Sequence, residues 1–448
     1  MIILVYSKTT EGNFQERLGF SEYSYYFVLK EFLPLLNQLG IVIRVSDPAR
    51  EVDPIYHSAT KQGQSCVFLC FAPPHLTPLG LDCPTIPIFA WEFDTIPTET
   101  WLGDLRNDWR YGLRRVGRAV THSNFAVETV RKAVGQDFPI ASIPAPVWDR
   151  YAAMAQELRM RSTWRSHRFD LHGMVVDTGA IDIYQYSPQR IPDPRTEPWP
   201  HEVPDGPASF EVPVDDVIYT SIFNPYDGRK NLFDMVCGFV WALRDREDAT
   251  LIMKATHYDP RPVLGLVTED LYKLTPYKCR VILVHGYFDD ESYQQLAGAS
   301  TYTVNTSHGE GQCLPLMEFM SGGKPAIAPR HTSMIDYIDE SNAFILKSSV
   351  EPSFWPHDPR LAYRTQRHRI NFESLVAAYR ESYRVAKEEP QRYARMSESA
   401  TATLERHCSE QVILEKLRTF LSRSDAASDR SGDATDAPTA SLKLVPKV

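Results

Sequence analysis

Two stretches of this 448-residue chain alternate short strand-like runs with helical ones, and the segment between them can sustain neither pattern. In the first stretch, residues 2–6, 41–45, 67–71, 86–90, 119–122 and 140–143 are β-prone runs of strand length. Helical spacing lies between them, most clearly over 22–39, where Tyr26, Leu29, Phe32, Leu33, Leu36 and Leu39 recur despite Pro34. In the second stretch, residues 217–221, 250–253, 281–284, 302–305 and 326–328 read as strands, and 231–244, 262–274, 290–297 and 315–321 as helices. This alternation predicts an α/β chain with mostly parallel sheets covered on both faces. The length leaves room for two doubly wound, Rossmann-like units, each with its own core.

Between them, residues 151–216 form a Pro-rich insert. Eight prolines from Pro188 to Pro213 forbid continuous helix and predict an extended surface connection. Residues 151–160 retain helical character and 173–182 suggest a short hairpin. Beyond Asn371, helices are predicted at 372–386 and about 410–420. The tail 422–448, rich in Ser, Asp, Ala and Thr, lacks an apolar face and is expected to be disordered.

A net charge of -9 without a basic stripe argues against a nucleic-acid partner. The seven cysteines are scattered, and Cys66 and Cys70 share one face of a buried strand rather than a metal-knuckle spacing. That pattern suits a reduced, cytoplasmic setting. The opening apolar run, 1–6, is too short for a signal peptide or a membrane span and reads as the first core strand.

The most informative stretch runs from Ser307 to Ile327. A β-prone run leads into a loop, Gly309-Glu310-Gly311-Gln312-Cys313-Leu314, and Pro315 suits the first turn of the helix that follows. The glycines let backbone amides approach a ligand, and an open helix N-terminus favours phosphate oxygens. Glu310 on the loop and Glu318 on the helix place two carboxylates at different depths of one crevice, suited to two sets of hydroxyls. Two glutamates alone fit a solvated acidic loop ahead of an amphipathic helix better.

Upstream, Arg229 and Lys230 lie between a strand end and a helix start, where a diphosphate meets the helix dipole and two cations. Lys254 closes the next strand. Ala90-Trp91-Glu92 ends another. Ser123 or Asn124, after His122, suits a helix cap, and Asp289 and Asp290 suit a cap and first turn better than a metal site.

Together, Glu310, Gly311, Leu314-Pro315, Glu318 and Gly323-Lys324-Pro325 resemble the E-x7-E signature of retaining glycosyltransferase family 4. The resemblance is strong over 217–346, weaker over 1–150 and absent from the insert and tail. It implies a GT-B fold, two Rossmann-like domains facing a central cleft. The N-terminal domain, 1–150, would take the acceptor, and the C-terminal domain, 217–400, the nucleotide sugar. A helix at 401–421 would return to the N-terminal domain.

By the same resemblance, Arg229, Lys230, Lys254, Gly309, Gly311, Gln312, Cys313, Leu314 and Glu318 would bind the donor, Glu310 and Glu92 would be catalytic, and Gly19 and His122 would lie on the acceptor side. It implies a UDP- or GDP-linked sugar, a carbohydrate or glycolipid acceptor, and neither metal nor cofactor. The setting would be bacterial surface polysaccharide or glycoconjugate synthesis, at most peripheral to the inner face of the membrane. One departure is Gly311-Gln312-Cys313, where relatives carry Gly-Phe-Gly, which leaves the donor open. A nucleotide-sugar hydrolase or epimerase, or a silent nucleotide-sugar-binding scaffold, would share much of this pattern.

Overall fold

A computed structural model describes residues 1–13, 22–153, 166–187, 206–257 and 259–422. Gly19, the 188–205 part of the insert and the 423–448 tail lie outside the described residues. The first sheet is parallel throughout. It holds β1 (Ile2–Ser7), β2 (Ile41–Arg44), β3 (Cys66–Phe71), β4 (Thr85–Phe89), β5 (Ala119–Thr121) and β6 (Ile140–Ser142), ordered β2-β1-β3-β4-β5-β6. Every residue of β3 is buried, as helices on both faces require. The helix Ser24–Leu39 buries Tyr25, Val28, Leu29, Phe32, Leu35 and Leu36 on one stripe, the spacing its sequence announces.

The second sheet contains β7 (Ser166–Asp177), β8 (Gly206–Pro213), β9 (Val217–Phe223), β10 (Ala249–Ala255), β11 (Arg280–Gly286), β12 (Tyr302–Val304), β13 (Ala326–Pro329) and β14 (Ala343–Leu346). Its order is β14-β13-β12-β9-β10-β11-β7-β8, parallel as far as β11 and antiparallel at β7 and β8. The insert therefore needs correcting. In place of a short hairpin at 173–182 and irregular chain up to 213, β7 continues the sheet from β11, and β8 pairs with β7 along its edge. The physical reason is an alternation in the sequence: Phe169 and Leu171 are buried between exposed Arg168, Asp170 and His172, and Phe169 stacks on Phe210 at 4.8 Å.

Predicted caps are present. Ser123 Oγ accepts from the Ala126 amide at 3.2 Å, and Asp289 Oδ1 accepts from the Ser292 amide at 2.8 Å. Helices Pro390–Cys408 and Glu410–Ser422 return to the first domain, where Trp148 Nε1 donates to the Thr401 carbonyl and Asp149 accepts from the Glu410 amide. Leu404, Cys408, Ile413 and Leu417 join the apolar cluster that holds Phe32 and Leu36. Among the described residues, no helix is long and apolar enough to cross a membrane.

An element the sequence did not announce is the hairpin of β15 (Ser348–Phe354) and β16 (Tyr363–Ile370). It leaves the second domain and docks on the 91–109 segment of the first. Asp94 Oδ1 accepts from Thr365 Oγ1 and the Gln366 amide, Thr95 Oγ1 donates to the Arg364 carbonyl, and Trp355 Nε1 donates to Thr95 Oγ1. Arg360 and Arg364 pair with Glu99, and Trp355 stacks on Trp101 at 6.3 Å. Because Trp355 is fully enclosed at this junction, Trp355→Ala should cost about 3–5 kcal/mol. Urea unfolding should show an earlier midpoint, and small-angle scattering a larger radius of gyration; an unchanged midpoint would remove the hairpin as a tie between domains.

Candidate active site between the two domains

A cleft of 1460 Å³ separates the two domains. Residues that follow strands line it, including Ala90 and Trp91 after β4, His122 after β5, Asn224 after β9 and Thr256 after β10, so both sheets offer their carboxyl ends. Glu92, His122, Arg229, Lys230, Lys254, Glu310, Gly311, Gln312, Cys313, Leu314 and Glu318 all line this one cleft. Gly309 does not.

The centre is a cluster of buried charge. Asp227 accepts from the Arg229 amide at 3.1 Å and so turns the loop into the short helix Gly228–Lys230; its Oδ2 also holds the Arg229 guanidinium at 2.6 Å. On its other nitrogen, Arg229 pairs with Glu92 from the opposite domain. Lys230 Nζ lies 2.7 Å from Glu310 Oε1, which also accepts from Asn305 Nδ2 and Ser307 Oγ. Burial alone would raise the Glu310 pKa, yet Lys230 and Arg229 hold it below the ordinary carboxylate value. Glu310 Oε2 accepts no hydrogen bond among the described residues and is available to a ligand.

Lys254 differs from both neighbouring cations. It is 7 % exposed, has no carboxylate partner among the described residues, and lies over the Phe288 ring at 5.3 Å. Burial pulls its pKa down to about 8. A buried ammonium without a counter-ion is costly to keep charged.

The glycines at 309 and 311 also lie against the opposite domain. A Cβ on Gly311 would come within 2.7 Å of the Ala90 Cβ, and one on Gly309 within 3.2 Å of the Glu92 carbonyl. The missing side chains therefore admit the backbone of the opposite domain. Gln312 reaches across as well, accepting from the Ala145 amide at 3.3 Å, while its Nε2 is buried without a partner among the described residues. Cys313 takes a left-handed conformation with φ 65°, and its Sγ accepts from Asn305 at 3.1 Å. The helix Leu314–Ser321 then starts without a side-chain cap, with Pro315 as its second residue.

Glu318 lies on that helix, and its Oε2 accepts from Tyr293 Oη at 2.6 Å. Burial, with help from nearby Glu31, pushes its pKa up to about 7 against the Tyr293 hydrogen bond and Arg150. His122 donates from Nδ1 to the Ile143 carbonyl at 3.0 Å, which fixes the neutral tautomer and leaves a buried, unpartnered Nε2 as acceptor. Burial lowers its pKa to about 4. Thr332 Oγ1 accepts from the Glu310 amide, while Asp94 is spent on the hairpin. No cluster of three or more potential metal ligands occurs among the described residues.

Sequence reasoning missed Tyr293, Arg150 and Glu31. Arg150 pairs with Glu31 at 3.0 Å, and both reach the Glu318 end of the cleft from the first domain. Tyr293 recurs on one face of its helix with Leu296 and Ala297, a spacing that could have flagged it as inward-facing.

In structure the chain is similar to glycosyltransferases of GT-B architecture. A sucrose-phosphate synthase from Thermosynechococcus elongatus superposes with a TM-score of 0.56 at 12% identity, over 95% of this chain and 99% of that one. A glycosyltransferase from Rickettsia africae gives 0.54 at 13%, over 96% and 99%. HepE from Anabaena, crystallised with UDP and glucose, gives 0.52 at 11%, over 94% and 99%. The fold is thus GT-B, two Rossmann-like domains facing a central cleft. No family model matches the chain, and no curated protein matches it.

The Glu318 pKa, near 7 when folded against an ordinary 4.5, makes stability pH-dependent. The folded state keeps a proton that the unfolded chain releases, so this contribution is complete below about pH 4.5 and is lost as pH rises through about 7. Glu318→Gln should therefore gain on the parent by up to about 3 kcal/mol as pH rises from 4.5 to 8. Melting temperatures of the two proteins across that range test it, and a constant difference would count against it.

Proposed function

We propose that this protein is a retaining glycosyltransferase that moves a sugar from a nucleoside diphosphate sugar to a carbohydrate or glycolipid hydroxyl. The observation that carries this reading is Lys254, a buried cation without a carboxylate partner among the described residues, in a cleft that also holds Arg229, Lys230, Glu310 and Glu318. UDP is the base of first choice, since HepE was crystallised with it.

In the proposed reaction the bond from the anomeric carbon to the diphosphate breaks, the electron pair leaves with the phosphate, and the acceptor hydroxyl oxygen bonds to the anomeric carbon on the same face while its proton passes to a departing phosphate oxygen. Lys254, Arg229 and the uncapped start of helix Leu314–Ser321 stabilise the charge that grows there, in a site whose dipoles are already oriented. Glu310, kept ionised by Lys230, lends a permanent negative charge to the cationic sugar, and its open Oε2 accepts a hexose hydroxyl. Glu318, with Oε2 on Tyr293, offers its other oxygen to the ribose. His122 Nε2 faces the sugar and acceptor side. The transfer product would belong to a surface polysaccharide or glycoconjugate.

A thermal-shift panel of UDP, GDP, ADP, dTDP and CMP tests the reading: a ligand at 100 times its Kd adds roughly 2.7 kcal/mol. Glu318→Ala should lose this stabilisation, whereas Glu310→Gln should keep it and lose transfer. Stabilisation by none of the five would sink the reading.

Lys254 adds a pH signature. Its ammonium is complete well below pH 8 and is lost above it. The Kd for the stabilising nucleotide should rise by up to tenfold per pH unit from 8 to 9.5. Lys254→Arg should flatten that rise; an equal rise in both proteins would clear Lys254 of anion binding.

A further inference from the structure

Arg229 is a guanidinium of the proposed diphosphate site, yet both of its nitrogen edges already face carboxylates. The two are held differently. Asp227 also accepts from the Arg229 amide and shapes the turn, whereas Glu92 has Arg229 as its single ion-pair or hydrogen-bond partner through its side chain among the described residues. Glu92 belongs by sequence to the first domain, but its segment is clasped by the second. Gly309 and Gly311 press on 90–92 from one side, and the hairpin holds Asp94 and Thr95 from the other.

Lys254 is open to an anion, but the cluster around Arg229 has no guanidinium edge free for a phosphate as it stands. Glu92, Asp227 and Glu310 face Arg229 and Lys230, which leaves one carboxylate in excess before any ligand enters. Glu310 is bound by Lys230, Asn305 and Ser307, so it cannot yield. Glu92 can.

Building on the glycosyltransferase reading, we infer that Glu92 is a displaceable counter-ion. The donor diphosphate takes its place on the Arg229 guanidinium, and Glu92 binds one proton from solvent as the two separate. In the ligand-free protein Glu92 thus keeps a buried arginine paired, and the same contact sets donor affinity. The charged and titratable groups facing it are Asp227, Arg229 and Lys230 on the 224–231 loop, Glu310 on the glycine loop and Tyr25 in the first turn of the first helix, with Tyr23 beside the same charges. His357 of the hairpin faces Arg229 and is held neutral, its pKa lowered by burial to about 4. Burial raises the Glu92 pKa even with Arg229 beside it, so Glu92 is the carboxylate of the cluster readiest to take a proton.

The test is calorimetric titration of UDP, at fixed pH in buffers of different ionisation enthalpy, into the parent and Glu92→Gln. Proton uptake should be smaller in the variant, a difference from which the shared contributions of Lys254, Glu318 and UDP itself cancel. Glu92→Gln should bind UDP at least about five-fold more tightly at pH 7.5, the gap narrowing as pH falls and the parent's Glu92 takes up its proton. Unliganded melting temperatures check that the variant folds, and proton uptake by the parent reads out without it.

Equal or weaker binding by Glu92→Gln, with uptake unchanged, overturns the inference while leaving the functional reading intact if Arg229→Ala still weakens UDP. No UDP binding by any of the three proteins overturns both.

Discussion

The guanidinium of Arg229 lies between a carboxylate of its own loop and one from the other domain, and the cleft takes its form from the need to keep that buried charge paired. An unpaired ion in such a place would be costly. Pairing it with Glu92 joins the two domains across the cleft. The glycines at 309 and 311 follow from the same closeness, since a side chain at either would push the 90–92 backbone away and pull Glu92 off its partner.

The ties at the rim serve that centre. The hairpin carries Trp355, Arg360 and Arg364 onto Thr95, Trp101 and Glu99, and the last two helices carry Leu404, Ile413 and Leu417 back to the first domain's core. Lys30 and Arg150 add exposed or half-exposed bridges to Asp290, which contribute little individually because solvent screens them. The apolar and aromatic contacts therefore do most of the holding. Glu310, Lys254 and Glu318 are buried, so little water screens their charges, which strengthens each interaction there.

The parallel strands and the helices between them were legible because burial on both faces leaves continuous apolar runs such as Cys66–Phe71. The hairpin was not, because its strands are largely exposed and its few buried side chains, such as Trp355, find their partners some 260 residues away. In the site, the residue types that meet a ligand were readable from their place at strand ends. What could not be read was whom each would face without a ligand. Gly309 and Gly311 announce a close approach but not that Ala90 and Glu92 make it, and nothing local to Glu318 points to Tyr293. The strand β7 is a different case: its alternation was present in the sequence, and the prolines downstream obscured it.

Glu310 and Glu318 show how far environment separates two identical side chains. Both are buried and both line the cleft. Glu310 sits beside Lys230 and Arg229, so it stays ionised; Glu318 sits between Tyr293 and the carboxylate of Glu31, with Arg150 only partly offsetting burial, so it shares a proton near neutrality. A fixed negative charge stabilises positive charge developing on a sugar ring. A carboxyl poised between its two protonation states can accept from one hydroxyl and donate to another without retaining a full charge in a confined space. The eight-residue spacing thus brings two chemistries to one cleft, and what divides them is the cation on the loop after the neighbouring strand.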